Sequence, residues 1–172
     1  METKKLVVLF VCHGNICRSP MAEYIFRRMV ERAGLSECIS VSSAATSREE
    51  IGNPVYPLAK RMLATHGIGC RDKVAQQMTR QMYLDSDYVI VMDTENIGGV
   101  EKILRHHADS RLHRLLDFVY DADGTPLSRD VADPWYTRDF ETAWSDIELG
   151  CNALLDHLKG IVGQHQNDNE NK

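Results

Sequence analysis

The sequence predicts a single-domain α/β fold, with a three-layer α/β/α arrangement around a central, mostly four-stranded parallel sheet. Short apolar runs suited to buried strands alternate along the chain with longer segments of helical periodicity. A length of 172 residues, of which 43% are hydrophobic, is enough for one substantial core. Strands that alternate with helices pair in parallel, so the loops that follow the strands meet at one edge of the sheet.

The elements follow in order along the chain. The first strand, Leu6–Val11, is apolar throughout, as in a strand covered on both faces. The last helix carries a continuous apolar stripe that includes Phe140, Trp144 and Ile147. We expect residues 1–162 to form the domain and residues 163–172 to form a polar tail without fixed structure. Strands are predicted at about 5–11, 39–44, 88–92 and 112–116, and helices at about 19–33, 55–66, 95–106 and 138–161.

A loop suited to an anion follows the first strand, with the sequence CHGNICRSP over residues 12–20. Backbone N–H groups in such a turn form a concave anion site, and Gly14 supplies the conformational freedom. The next helix, which we expect to be capped by Ser19, points its positive dipole end at the same place. Arg18 can bind two phosphate oxygens at once, and these surroundings favour the thiolate of Cys12. The loop predicts a nucleophile and a phosphoryl cradle that needs no metal; the alternative is a core cysteine beside a surface arginine.

The stretch from Val11 to Glu23 closely resembles the signature loop of the low-molecular-weight protein tyrosine phosphatases. The resemblance continues in the family's order and spacing over about residues 4–160. It implies a metal-independent, cofactor-free enzyme that hydrolyses phosphotyrosine or a related phosphomonoester through a phosphocysteine intermediate. The further matching segments are Ser43–Ser47, Ile51–Pro54, His66–Ile68, Val91–Asp93, Asp133–Tyr136 and Asp139–Thr142.

The resemblance implies catalytic roles for Cys12, Arg18 and Asp133. Cys12 would attack phosphorus, Arg18 would hold the phosphoryl oxygens, and Asp133 would act first as acid and then as base. An Asp-Pro pair by itself favours a helix cap or a turn aspartate over a catalytic acid. The residues implied to bind phosphate or line the pocket are His13, Gly14, Asn15, Ile16, Cys17 and Trp135, and those implied to brace the loop are Asn15, Ser19 and Ser43.

Four positions bear on specificity and regulation. Glu49 stands where relatives often place an aromatic residue on the pocket rim, which favours basic or small phosphorylated substrates. Ile16 favours phosphotyrosine-like esters, because relatives that hydrolyse phosphoarginine have threonine there. Lys73 lies in a segment where relatives usually carry a histidine, and this changes the outer part of the bracing network. Cys17 either traps an oxidised Cys12 as a disulfide or simply fills space.

Other functional classes are disfavoured. Arsenate reduction on the same fold needs two further cysteines, yet none occurs between Arg71 and Gly150. A pure phosphate-binding module would not require Cys12, and no C-x-x-C or H-E-x-x-H spacing indicates zinc. We therefore expect a phosphotyrosine-containing protein or a small aryl phosphate as substrate, and a phosphate or sulfate anion in the active site.

Composition limits the cellular location and the binding partners that we expect. No run approaches about 18 consecutive apolar residues, so we expect no membrane association. A formal net charge of −5 gives no basis for nucleic-acid binding. The five cysteines do not suggest a secreted disulfide scaffold, and a cytoplasmic location is expected.

Overall fold

The computed structural model of the chain describes residues 4–70 and 72–170. Within these residues the chain forms a four-stranded, all-parallel sheet with strand order β2-β1-β3-β4, and helices cover both faces. The predicted α/β fold is confirmed. The strands are β1 (Leu6–Cys12), β2 (Ile39–Ala45), β3 (Tyr88–Val91) and β4 (Leu112–Arg114), and the helices are α1 (Arg18–Arg32), α2 (Pro57–Thr65), α3 (Arg80–Leu84), α4 (Thr94–Leu104), α5 (Pro134–Thr137) and α6 (Phe140–Glu170).

Strand β1 lies in the middle of the sheet and separates two apolar layers. Alternate side chains of a strand point to opposite faces. Val8 and Phe10 therefore pack in the layer formed with α1 and α6, whereas Leu9 and Val11 pack against α4 on the other face. Both layers are almost fully sealed from solvent, which explains why the strand is apolar without interruption.

The register of the sheet brings three strand ends together. Cys12 at the end of β1 pairs with Ala45 at the end of β2. One residue earlier, Val11 pairs with Val91 at the end of β3. The segments that leave these strands therefore start at the same edge, which is where ligands bind in parallel α/β sheets.

The fourth strand is shorter than the predicted 112–116. Leu115 and Leu116 leave the sheet in a 3-10 turn, Leu115–Phe118, and both are fully buried. Gly150 on α6 permits this, because a Cβ at that position would lie only 2.4 Å from Leu115 Cγ. Packing against a helix distant in sequence therefore decides where β4 ends.

Helix α6 is longer than the predicted 138–161. Its apolar stripe is buried as expected, but its backbone continues as helix through Glu170. The segment contains no proline, and a helix that is already nucleated extends with one hydrogen bond per added residue. The expectation of a tail without fixed structure therefore differs from the described backbone of 163–170, and residues 171 and 172 lie outside the described residues. The domain bounds 1–162 stay a prediction.

The short helices α3 and α5 have no counterpart in the sequence prediction, because a single turn shows no periodicity to recognise. Among the helices of the described part of the chain, none combines the length and apolar character needed to cross a membrane.

Candidate active site

The loop after β1 turns sharply at Asn15, which has a φ of 58°. The sequence assigns the conformational freedom of this loop to Gly14, but the left-handed residue is Asn15. Asparagine tolerates this region better than most residues because its short polar side chain can bond locally. Gly14 matters for a different reason, since a Cβ there would lie 3.3 Å from Glu50 Cγ.

Ser19 does not cap helix α1 as the sequence predicts. The helix begins at Arg18, and its N-cap residue, Cys17, makes no side-chain capping bond. Ser19 Oγ instead lies 2.9 Å from Cys12 Sγ. The backbone N–H of Asn15 also donates to this sulfur, at 3.3 Å. Two donors thus converge on Cys12, an arrangement that stabilises a negative charge on sulfur.

A chain of buried hydrogen bonds fixes the direction of the Ser19 hydroxyl. A carboxylate only accepts, so Ser43 Oγ donates to Glu23 Oε2 at 2.9 Å. Ser43 must then accept from Asn15 Nδ2 at 2.9 Å, and the second proton of the same amide goes to Ser19 Oγ at 2.8 Å. With its oxygen thus used as acceptor, Ser19 has its own proton to donate, and Cys12 Sγ at 2.9 Å is a nearer acceptor than the Ala44 carbonyl at 3.5 Å.

The outer end of this chain is an ion pair. Lys73 Nζ lies 3.5 Å from Glu23 Oε2 and donates to the Ser43 carbonyl at 3.1 Å, while Arg27 Nη2 lies 2.9 Å from Glu23 Oε1. Burial lowers the pKa of Lys73, and the charge of Glu23 opposes that shift. Lys73 is therefore the cation that pairs with the buried carboxylate of Glu23. It occupies the outer part of the bracing network, where the sequence departs from its relatives.

Sequence patterns indicated Lys73 only as a departure in the outer bracing network, and they indicated no site role for Glu23 or Gln76. Glu23 lies four residues after Ser19, so helical spacing could have placed the two side chains on one face. Gln76 donates its backbone N–H to Asn15 Oδ1 at 3.2 Å. It belongs, like Lys73, to an irregular segment, and no local pattern reveals which element such a segment approaches.

Arg18 is buried beneath the loop, with only 2% of its surface exposed. Its Nη1 donates to Asp93 Oδ2 at 2.6 Å and to the Val131 carbonyl at 2.9 Å, and its Nη2 donates to Asp133 Oδ2 at 3.1 Å. Burial lowers the pKa of Arg18, but the negative charges of Cys12, Asp133 and Asp93 outweigh that effect and raise it. The guanidinium is thus held charged and in one orientation.

Asp93 and Asp133 reach Arg18 from different segments. Asp93 follows β3, and its position at a strand end is the pattern by which the sequence could have indicated it. Asp133 is the N-cap of α5, where its Oδ1 accepts from the backbone N–H of Trp135 at 3.0 Å. Because its Oδ2 accepts from Arg18 at the same time, Asp133 is both the cap of a helix and a side chain of the site.

A cavity of about 190 Å³ lies above the loop. Trp135 forms part of its wall, packs edge-on against Tyr56 at 5.1 Å between ring centroids, and is 42% exposed. Asn15 does not line the cavity and is 1% exposed, so its side chain braces the loop from behind. The other lining residues are Cys12, His13, Gly14, Ile16, Cys17, Arg18, Glu49, Glu50, Asp93, Glu95, Asn96, Asp133 and Tyr136.

Comparisons with known proteins agree with this geometry. Residues 7–163 match the family model described as low molecular weight phosphotyrosine protein phosphatase. The chain is 43% identical over 148 residues to the low molecular weight protein-tyrosine-phosphatase YfkJ of Bacillus subtilis, covering 86% of this chain and 92% of that protein.

A human relative and a solved structure extend the likeness. The chain is 36% identical over 151 residues to the human low molecular weight phosphotyrosine protein phosphatase, covering 87% of this chain and 93% of that protein. Its fold matches the crystal structure of YfkJ with a TM-score of 0.86 at 40% identity, over 93% of this chain and 98% of that one. The likeness therefore spans the sheet, the loop after β1 and the segment that carries Asp133.

Proposed function

Because the chain belongs to the low-molecular-weight phosphotyrosine protein phosphatase family, we propose that Cys12, Arg18 and Asp133 carry out its phosphatase reaction. The observation that carries this assignment is the convergence of the three side chains on one cavity. The sulfur receives two hydrogen bonds, and the guanidinium contacts the Asp133 carboxylate directly.

In the first step the Cys12 thiolate attacks phosphorus in line with the leaving oxygen. The Ser19 hydroxyl and the Asn15 N–H stabilise the thiolate before attack. Arg18 and the backbone N–H groups of the loop hold the three non-bridging oxygens. A new S–P bond forms as the P–O bond to the leaving group breaks.

Asp133 supplies the proton that the leaving oxygen needs. A phosphoryl group placed between Arg18 and Asp133 takes over the guanidinium N–H that Asp133 now accepts. Asp133 Oδ2 then faces the leaving oxygen and donates a proton to it as the P–O bond breaks.

In the second step the same carboxylate acts as a base. Asp133 takes a proton from water, whose oxygen attacks phosphorus as the S–P bond breaks. Inorganic phosphate leaves and the Cys12 thiolate is restored, so no oxidant, metal or cofactor takes part in the balance.

The walls of the cavity favour an aryl ester. Trp135 presents an aromatic face at the mouth and Ile16 adds apolar surface below it. A phenyl ring can lie along this wall with its phosphate on the loop. We therefore propose phosphotyrosine in a protein, or a small aryl phosphate, as the substrate. The five cysteines are free, and we also propose a cytoplasmic location, where thiols stay reduced.

The test is hydrolysis of p-nitrophenyl phosphate in excess EDTA by the native chain, by Cys12→Ser and by Cys38→Ser. Cys38 is a partly buried free cysteine at the other end of the sheet. We expect activity in the native chain and in Cys38→Ser, and none in Cys12→Ser. Activity retained by Cys12→Ser, or lost from the native chain in EDTA, would contradict the proposal.

A further inference from the structure

The mouth of the cavity carries an excess of negative charge. Glu49 and Glu50 approach it from the segment after β2, and Glu95 approaches it from the first turn of α4. Inside, the charge of Arg18 is already matched by Asp93 and Asp133. An anionic substrate therefore enters a cavity lined by three further carboxylates, which is the reverse of simple electrostatic attraction.

The three carboxylates are poorly neutralised by the protein itself. Glu49 Oε2 lies 3.1 Å from His13 Nε2, and both side chains are exposed. Glu50 accepts a hydrogen bond from Asn53 Nδ2 at 2.7 Å, and Glu95 is exposed. Among the described residues, no lysine or arginine forms an ion pair with any of the three.

The position of Glu50 ties this charge to the reaction site. Its side chain passes over Gly14, where a Cβ would lie 3.3 Å from Glu50 Cγ. Glu50 is thus held beside the phosphate loop, and Glu49 and Glu95, which are more exposed, line the same cavity. A peptide whose phosphorylated side chain reaches Cys12 places its neighbouring residues close to these three carboxylates.

We propose that Glu49, Glu50 and Glu95 select substrates in which lysine or arginine flanks the phosphotyrosine. This rests on the proposed phosphatase function. The phosphate dianion is held by Arg18 and the loop, and cationic neighbours then neutralise carboxylates that acidic neighbours would repel. In an extended peptide each residue advances the chain by about 3.5 Å, so the residues that flank the phosphotyrosine stay near the mouth of the cavity. The long side chain of lysine then reaches from the peptide backbone toward the carboxylates.

The discriminating experiment compares two synthetic phosphotyrosine peptides of equal length, one with lysine and one with glutamate on both sides of the phosphotyrosine. Exposed ion pairs are individually weak, but the two lysines of one peptide are attracted by all three carboxylates, and the two glutamates of the other peptide are repelled by them. We expect kcat/KM to favour the lysine peptide by about tenfold or more at low salt. The ratio should shrink at high salt because these carboxylates are open to solvent.

Two triple variants assign the effect to the mouth. In Glu49→Gln/Glu50→Gln/Glu95→Gln the ratio between the two peptides should fall toward one. A control triple, Glu31→Gln/Glu37→Gln/Asp156→Asn, removes the same amount of charge at exposed positions outside the cavity and should keep the native ratio.

The outcomes separate this proposal from the one it rests on. Equal kcat/KM for the two peptides, a preference for glutamate, or a ratio unchanged in the mouth variant would overturn the selectivity. In each of these cases the native chain still hydrolyses p-nitrophenyl phosphate. A folded native chain that hydrolyses neither peptide nor p-nitrophenyl phosphate would overturn the phosphatase proposal, and the selectivity with it.

Discussion

Replacing Asn15 tests how the phosphate loop is held. Its side chain makes two buried hydrogen bonds, to Ser19 Oγ at 2.8 Å and to Ser43 Oγ at 2.9 Å, and accepts a partly buried one from Gln76 N at 3.2 Å. Its backbone occupies the left-handed region at a φ of 58°. Asn15→Gly removes the side chain alone, whereas Asn15→Ala also places an unsuited residue in that conformation.

The expected loss of stability follows from these contacts. Three hydrogen bonds at a net value of about 1 kcal/mol each give a loss of about 3 kcal/mol for Asn15→Gly. Alanine in the left-handed region adds about 1–2 kcal/mol of strain. Its stiffer unfolded chain offsets about 0.4–1 kcal/mol of that strain. Asn15→Ala should therefore be the less stable variant, by up to about 1.5 kcal/mol.

The assay combines urea denaturation with kcat/KM for p-nitrophenyl phosphate. A lower urea midpoint at unchanged slope reports a change in stability alone. We expect kcat/KM to fall by about 10² in both variants, because a displaced phosphate loop misplaces the reacting atoms. As a control, Asn152→Ala replaces an exposed asparagine of α6 and should change stability by less than about 0.5 kcal/mol.

Two results would count against this role of Asn15. Asn15→Ala that is more stable than Asn15→Gly would show that the left-handed backbone imposes no strain. Full activity in both variants would show that the hydrogen bonds behind the loop do not position the sulfur.

Three further predictions concern other parts of the molecule. Asp133→Asn should lower kcat/KM, which reports the transfer of the phosphoryl group to Cys12, by about 10²–10⁴ for a phosphotyrosine peptide and by less for p-nitrophenyl phosphate, whose leaving group needs no proton; equal losses in kcat/KM would argue against an acid role. Burial raises the pKa of the Cys17 thiol, so it stays protonated at pH 7, and mass spectrometry should find it unalkylated by iodoacetamide until the protein is unfolded. Labelling of Cys17 that is as rapid in the folded protein as in the unfolded protein would contradict this. Gly150→Ala, whose Cβ would lie 2.4 Å from Leu115 Cγ, should destabilise by about 1–3 kcal/mol. Gly160→Ala, whose Cβ would meet nothing within 4 Å, should instead raise thermal stability. A Gly150→Ala variant more stable than Gly160→Ala would count against the close contact of Gly150 with Leu115.

Local patterns explain why much of the site was predictable. The apolar run of β1 and the periodicity of α1 place Cys12 and Arg18 at a strand-to-helix junction, and such patterns need only neighbours in sequence. Asp133 lies 115 residues from Arg18, and its meeting with the guanidinium depends on the whole fold. Only the family resemblance indicated that residue.

What the sequence did not predict depends on contacts between distant segments. The left-handed conformation of Asn15 is stabilised by partners from three segments, which no local preference for glycine reveals. Asp93 joins Arg18 because β3 lies beside β1, and strand order is not encoded in either strand alone. Lys73 reaches Glu23 from an irregular segment, and Leu115 leaves β4 because a glycine far along the chain makes room for it.

Trapping the intermediate would show whether the reaction passes through a covalent bond between Cys12 and phosphorus. With p-nitrophenyl phosphate as substrate, Asp133→Asn should form the intermediate readily but hydrolyse it slowly, because the base for the second step is missing. After a rapid denaturing quench, mass spectrometry should find a phosphoryl group on Cys12 and on no other residue. A phosphoryl group on a different side chain, or turnover with no phosphorylated protein at any time, would contradict the account.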